Sequence, residues 1–101
     1  MKPIIYIARA PGVAWRRLED EVIVLSGSDS SLFILNAVAG EIWEAADGKT
    51  TLSDIVVRRI IPGFEVEFEQ AYEDAAEFVR ALADEGILLV SSQPLDGAPE
   101  P

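Results

Sequence analysis

The sequence contains no cysteine and no histidine. Their absence removes thiolate nucleophiles, disulfides, thiolate and imidazole metal ligands, and the side chain that most often serves as a general base near neutral pH. Basic residues are scarce too, with 8 Lys and Arg against 18 Asp and Glu and a formal charge of -10. A duplex-binding domain gains affinity by neutralising phosphates, so this balance opposes nucleic-acid binding unless a local basic face exists. The pairs Arg16-Arg17 and Arg58-Arg59 are the candidates for such a face, and both also read as ordinary surface on a strand and at a helix end. Long hydrophobic runs are missing as well. The apolar stretch of "MKPIIYIARAPG" is broken by Arg9 and is too short for a signal peptide or a membrane span, which makes a cytoplasmic setting the default expectation.

What remains is an apolar chain of 101 residues, 50% hydrophobic, enough for one compact core and too short for two. Residues 1–12, with Pro3, Pro11 and Gly12, read as an N-terminal lead-in, and residues 13–90 as the domain. The segment "SSQPLDGAPEP", residues 91–101, has three prolines and no apolar periodicity, and reads as a disordered tail. Carboxylates are plentiful, but they lie in a run from Glu65 to Glu85 instead of as an isolated pair in an apolar cleft. Nothing supplies a nucleophile with an adjacent base, so the sequence points away from an enzyme and calls for no metal or cofactor.

The apolar period changes along the domain. Val22–Leu25 and Leu32–Leu35 are rich in β-branched and aromatic residues and flank the turn-prone "SGSDS", which predicts a hairpin. A preceding strand over Ala14–Leu18, joined by a tight turn at Glu19-Asp20-Glu21, completes a three-stranded antiparallel meander. Asn36 is a good N-cap for a helix over Ala37–Ala46 with Val38, Ala39, Ile42, Trp43 and Ala46 on one side, ended by Asp47-Gly48. Thr51, three residues before Asp54, caps a second helix whose stripe is Leu52, Ile55, Val56 and Ile60, until Pro62-Gly63 stops it. The third helix spans Phe68–Glu85, with Phe68, Ala71, Tyr72, Ala75, Val79 and Leu82 inward and Gly86 as C-cap. The following "ILLV" either adds a strand or lies in the core. Three strands followed by three helices, the first two short, make an α+β, winged helix-turn-helix-like domain, which is an architecture and not a function.

The stretch "LFILNAVAGEIWEAADGKTTLSDIVVRRI" resembles the pyrroloquinoline quinone biosynthesis protein D (PqqD) family. The likeness lies in a strand ending in Leu35-Asn36, a small-residue helix containing Ile42-Trp43, the Asp47-Gly48 turn followed by Thr50 or Thr51, and an apolar helix from Leu52. It continues through "FVRALADEGILLV" and "PGVAWRRLEDEVIVL", from about Pro11 to Val90. The resemblance implies a non-catalytic recognition element and peptide chaperone. Such a protein binds the leader region of a precursor peptide in natural product biosynthesis and presents the core to a modifying enzyme, a radical S-adenosylmethionine enzyme, a leader peptidase or a cyclase. The alternative for this fold class is a winged-helix DNA-binding regulator.

Strand addition is the physical form that such capture would take, because main-chain hydrogen bonds supply affinity and alternate side chains supply specificity. The third strand, Ser31, Leu32, Phe33, Ile34 and Leu35, is the natural edge of the meander. The third helix would provide the other wall through Ala75, Phe78, Val79 and Leu82. Four consecutive apolar residues cannot all face one core, so one face of this strand must be covered by something else, either the protein's own helix or a ligand. Phe78 lies slightly off its helix's main stripe and reads equally as groove wall or core. The same edge could also pair with its own copy to give a homodimer.

Overall fold

The computed structural model describes residues 2–27 and 30–95. Local sequence sets the first sheet. β2 (Val13–Leu18), β3 (Glu21–Ser26) and β4 (Leu32–Leu35) form the expected antiparallel meander in the order β2-β3-β4. Leu18 pairs directly with Glu21, leaving a two-residue turn in which Glu19 takes φ 59°. The β3–β4 turn places Ser30 at φ 60°, while Ser28 and Asp29 of the "SGSDS" turn lie outside the described residues. Val22 and Val24 are fully buried beneath this sheet, with Glu21 and Leu25 outside, the period of two that one covered face demands.

The helices also start where their caps predict. α1 (Ala37–Ala45) begins at Asn36, whose side chain accepts from the Ala39 N–H. α2 (Leu52–Ile55) begins at Thr51, which accepts from the Asp54 N–H, and it runs on as a π-helical turn over Val56–Ile60, marked by the Ile61 N–H donating to Val56 C=O at 2.9 Å. α3 (Phe68–Asp84) closes in a Schellman motif. Gly86, at φ 81°, donates to Ala83 C=O at 3.0 Å, and Ile87 donates to Leu82 C=O at 3.1 Å.

A second sheet corrects the reading of the ends. Residues 1–12, expected to be a lead-in, contain β1 (Tyr6–Arg9). It lies between β5 (Asp47–Thr51) and β6 (Leu88–Ser91), antiparallel to both. The segment expected to be a plain turn between two helices is therefore a strand, entered through an Asx turn. The Asp47 carboxylate accepts from the N–H groups of Lys49 and Thr50 at 2.8 and 2.9 Å, and from the Thr50 hydroxyl at 3.2 Å. Gly48 has φ 79°, a conformation that glycine adopts without strain. The tail is likewise anchored further than expected: Ser91 belongs to β6, and the Leu95 N–H donates to Gly48 C=O at 2.7 Å. Residues 96–101 lie outside the described residues.

The core forms where these layers meet. Ile7, Val22, Val24, Ile42, Trp43, Leu52, Ile55, Val56 and Ile87 are all buried, with Ala71, Tyr72, Ala75, Val79 and Leu82 closing it from α3. Arg9 is the buried cation of β1 (5% exposed). Its Nη1 donates to Trp43 C=O and Glu44 C=O at 2.9 Å each, so a positive charge satisfies carbonyls at the C-terminal end of α1. The guanidinium also lies over the Trp15 ring, 5.3 Å from its centroid, and Trp15 meets Trp43 edge to face. The whole is an α+β, winged helix-turn-helix-like fold with an additional small sheet joining its two ends.

Candidate functional site

β4 is an edge strand, since β3 lies on one side of it and no described strand on the other. Its register opposite β3 is Leu25↔Leu32, Val24↔Phe33, Ile23↔Ile34 and Val22↔Leu35. Just before the strand, the Ser26 N–H donates to Ser31 C=O at 2.9 Å, so the main-chain groups of Ser31 face β3. Alternation then turns the groups of Phe33 and Leu35 toward β3 as well, and leaves the N–H and C=O of Leu32 and Ile34 directed to the free edge. The side chains alternate in the perpendicular direction. Leu35 is buried and Phe33 half-buried on the core side, whereas Leu32 and Ile34 are 60% and 62% exposed on the outer face. The strand carries no charge, proline or bulge, the devices with which a solvent-facing edge is ordinarily protected.

A groove opens at the end of this strand. Asn36, the residue after β4, lines it together with Val38, Ala39 and Ile42 of α1 and Asp74, Ala75 and Phe78 of α3, and its volume is about 330 Å³. The walls are mostly apolar. Asp74 stands among them, its carboxylate accepting from Gln70 Nε2 at 3.0 Å. Of the residues proposed from sequence, the structure brings Ala75 and Phe78 to this groove and places Leu32 to Leu35 on the adjoining edge, with Ser31 immediately before it. Val79 and Leu82 are not brought there. Both are turned into the core, 3% and 5% exposed, and Val79 borders a separate recess of about 210 Å³ with Ile5, Leu52, Ala76, Arg80, Ala83 and Val90 on another flank of α3. Position along the helix explains the difference, because Val79 and Leu82 lie one and two turns beyond Ala75 on the inward stripe, while Phe78 is offset by one residue from that stripe and stays beside the groove.

Sequence reasoning missed the contribution of α1. Val38, Ala39 and Ile42 were recognisable as its apolar face, but nothing local indicates that the first turn of that face extends beyond the core into a groove. Ile42 serves both, since it is only 1% exposed yet forms part of the groove lining.

One arginine of each basic pair is engaged structurally. Arg17 of β2 contacts Glu44 through Nε and reaches Glu41 through Nη2 at 3.4 Å. Arg59 of the π-helical turn donates to Glu41 at 2.9 Å, and its Nη2 lies 3.9 Å from Glu44. Arg17 and Arg59 thus clamp the acidic side of α1, which withdraws one charge of each pair from any basic face that a duplex would require. On α3, Lys2 pairs with Glu69 at 2.8 Å and lies over the Tyr72 ring, so the N-terminal residues are strapped along that helix. Burial raises the pKa of the Tyr72 phenol, with the Lys2 charge opposing.

The family model described as coenzyme PQQ synthesis protein D (PqqD) matches residues 21–88. The chain belongs to the PqqD family. The matched span runs from β3 to the start of β6 and includes the Leu35-Asn36, Ile42-Trp43 and Asp47-Gly48 features as well as both walls of the groove. Among solved structures, TbiB1 in complex with the TbiA(beta) leader peptide is 27% identical to this PqqD-family chain, with a TM-score of 0.73 over 80% of this chain and 93% of that one. Lasso peptide synthetase B1 complexed with the leader peptide is 24% identical, with a TM-score of 0.70 over 82% and 96%, and shares the fold. No curated protein matches the chain in sequence.

Proposed function

We propose that this PqqD-family chain is a non-catalytic recognition protein. It captures the leader region of a ribosomally made precursor peptide by adding it as a strand to β4. It then presents the core region to a modifying enzyme, a radical S-adenosylmethionine enzyme, a leader peptidase or a cyclase. The observation that carries this reading is the unprotected edge: Leu32 and Ile34 direct main-chain donors and acceptors outward on a strand with no charged residue to discourage pairing. Support also comes from TbiB1, a relative of the same fold whose structure was solved with a leader peptide bound.

Energetics require the groove as well as the edge. Each main-chain bond is worth about 0.5–1.5 kcal/mol net, so the two outward residues cannot by themselves reach the roughly 8 kcal/mol of a micromolar complex. Burying one large apolar side chain between α1 and α3 contributes about 1.5–3 kcal/mol more. Ala75, Phe78, Val38, Ala39 and Ile42 provide that environment. The DNA-binding alternative loses support because Arg17 and Arg59 are engaged by Glu41 and Glu44.

A proline scan of β4 tests strand addition, with any short precursor that the adjacent reading frames encode as ligand. Leu32→Pro and Ile34→Pro remove outward donors and leave the β3 ladder intact, so they should weaken precursor binding by roughly tenfold each, since a bond is lost and its neighbours are disturbed. Their melting temperatures should fall only modestly. Phe33→Pro and Leu35→Pro remove donors to β3 and should lower stability first. If Leu32→Pro and Ile34→Pro remain folded and bind like the parent, the leader does not pair with this edge.

A further inference from the structure

The outer face of the β2-β3-β4 sheet, the wing sheet, is largely apolar apart from Arg16 and Glu21, where a solvated sheet face is ordinarily polar. The register aligns two rows across it, Ala14, Leu25 and Leu32 in one, and Arg16, Ile23 and Ile34 in the other. A shallow recess of about 260 Å³, lined by Ala14, Trp15, Arg16, Ile23, Leu25 and Leu32, runs along the first row. Exposure rises toward the free edge: Leu25, with a strand on each side, is 44% exposed, against 60% and 62% for Leu32 and Ile34, which have one. A protein lying flat on this face would centre on β3. Among the large apolar residues of this face, the least covered lie instead at the β4 margin, where a strand would be added.

We propose that the leader segment accepted by β4 is apolar on its outward side too, carrying β-branched, aliphatic or aromatic residues at two positions two apart that sit beside Leu32 and Ile34. This rests on the strand-addition reading. Its physical basis is that lateral side-chain pairs on one face are the unit of sheet stabilisation, and each row here ends with an apolar side chain lacking its second neighbour. The ligand class is then a short segment that is apolar on both faces. Its inward residues meet the α1–α3 groove and its outward residues extend the two rows. An alternating apolar and charged strand, the pattern of an ordinary surface strand, would leave Leu32 and Ile34 facing charge.

The test uses a phage-displayed library of random dodecapeptides panned against the intact chain, with bound peptides located by the amide chemical shifts of Leu32 and Ile34. Peptides that perturb those amides should be enriched in apolar residues at two positions two apart on the outward side. In a Leu32→Lys, Ile34→Lys double variant, whose new side chains point to solvent, the selected peptides should bind roughly three- to thirtyfold more weakly. Repeating the selection on that variant should replace the two apolar positions with Asp or Glu. Edge-paired peptides with charged residues at those positions in the parent selection, or unchanged affinity in the double variant, would overturn the outward pairing while leaving strand addition standing. Peptides that bind without perturbing the β4 amides would overturn both. If the double variant instead splits a dimer of the free protein and leaves peptide affinity unaltered, the rows belong to a second copy and the inference fails.

Discussion

Asp47 and Gly48 show how two adjacent residues commit a segment to a strand. Desolvation is the largest single influence on the Asp47 carboxyl and raises its pKa, but the donors from Lys49 and Thr50 together outweigh it and hold the carboxyl below the usual aspartate range. A carboxylate lowered in the folded state stabilises the fold above its unfolded pKa, near 3.9, and loses that contribution as pH falls through the folded value. Asp47→Ala should therefore be less stable than the parent at neutral pH, with the gap closing below about pH 4. Chemical denaturation of both proteins across that range checks this, and a gap independent of pH would sink it. Gly48 adds a backbone constraint. At φ 79°, any side chain is strained, and a Cβ there would collide with the Leu95 carbonyl; Gly86, at φ 81°, has open space around the same position. Gly86→Ala should cost about 1 kcal/mol from conformation alone, and Gly48→Ala should cost more. Removing residues after Gln93 should bring the two costs together, measured as urea midpoints. If truncation leaves them unequal, Leu95 is not what crowds Gly48.

At the scale of elements, legibility followed the range of the interactions. The meander, Asn36 and Thr51 as caps, the four-residue stripe of the second helix and the inward face of α3 all rest on neighbours within a few positions, and all are found as read except Phe68, which is only partly buried at the start of α3. β5 was not legible because "DGKTT" has no apolar alternation, and it becomes a strand only through pairing with β1, about forty residues earlier in the chain. β1 itself hid behind Pro3 and Pro11, with too few residues to display a period. The same long-range logic makes Arg9 an element-level residue, since the cation that interrupted the N-terminal apolar run is the partner for carbonyls of Trp43 and Glu44. Arg9→Met keeps much of the volume and removes these charged donors; Trp43 C=O still accepts from the Ala46 N–H at 3.2 Å, so the loss falls mainly on the partly buried Glu44 C=O and on the two charge-assisted bonds, and should cost about 1–3 kcal/mol. Arg9→Lys, which retains one charged donor group, should cost less. Thermal unfolding of the three proteins decides this, and Met and Lys variants of equal stability would assign the role to packing instead.

For the molecule as a whole, the two sheets divide the labour. The wing sheet offers an edge whose phase the sequence could not supply, because the direction of each main-chain group depends on which residues pair with β3. The second sheet fastens the two ends of the chain to the middle and thereby fixes α1 against α3, the two walls of the groove. β1 is its central strand, with Ile7 and Ala8 fully buried. Beyond the ladder, the Leu52 N–H donates to Ile5 C=O at 2.8 Å and the Ala10 N–H to Ile87 C=O at 3.1 Å, so both neighbouring elements depend on it. Deleting residues 1–12 would expose the facing sides of β5 and β6, uncover Ile7's place in the core and remove Arg9 from α1. Each buried apolar side chain and each orphaned main-chain group costs on the order of 1–3 kcal/mol, and a domain of this size has only about 5–15 kcal/mol in total. The truncated chain should thus lose its cooperative thermal transition and the dispersion of its amide spectrum, and with them any peptide affinity, even though β4 and every residue lining the groove remain present. A truncated chain that melts cooperatively within a few degrees of the intact protein would show that β1 is an accessory strand, and that the wing and three helices hold the groove open without it.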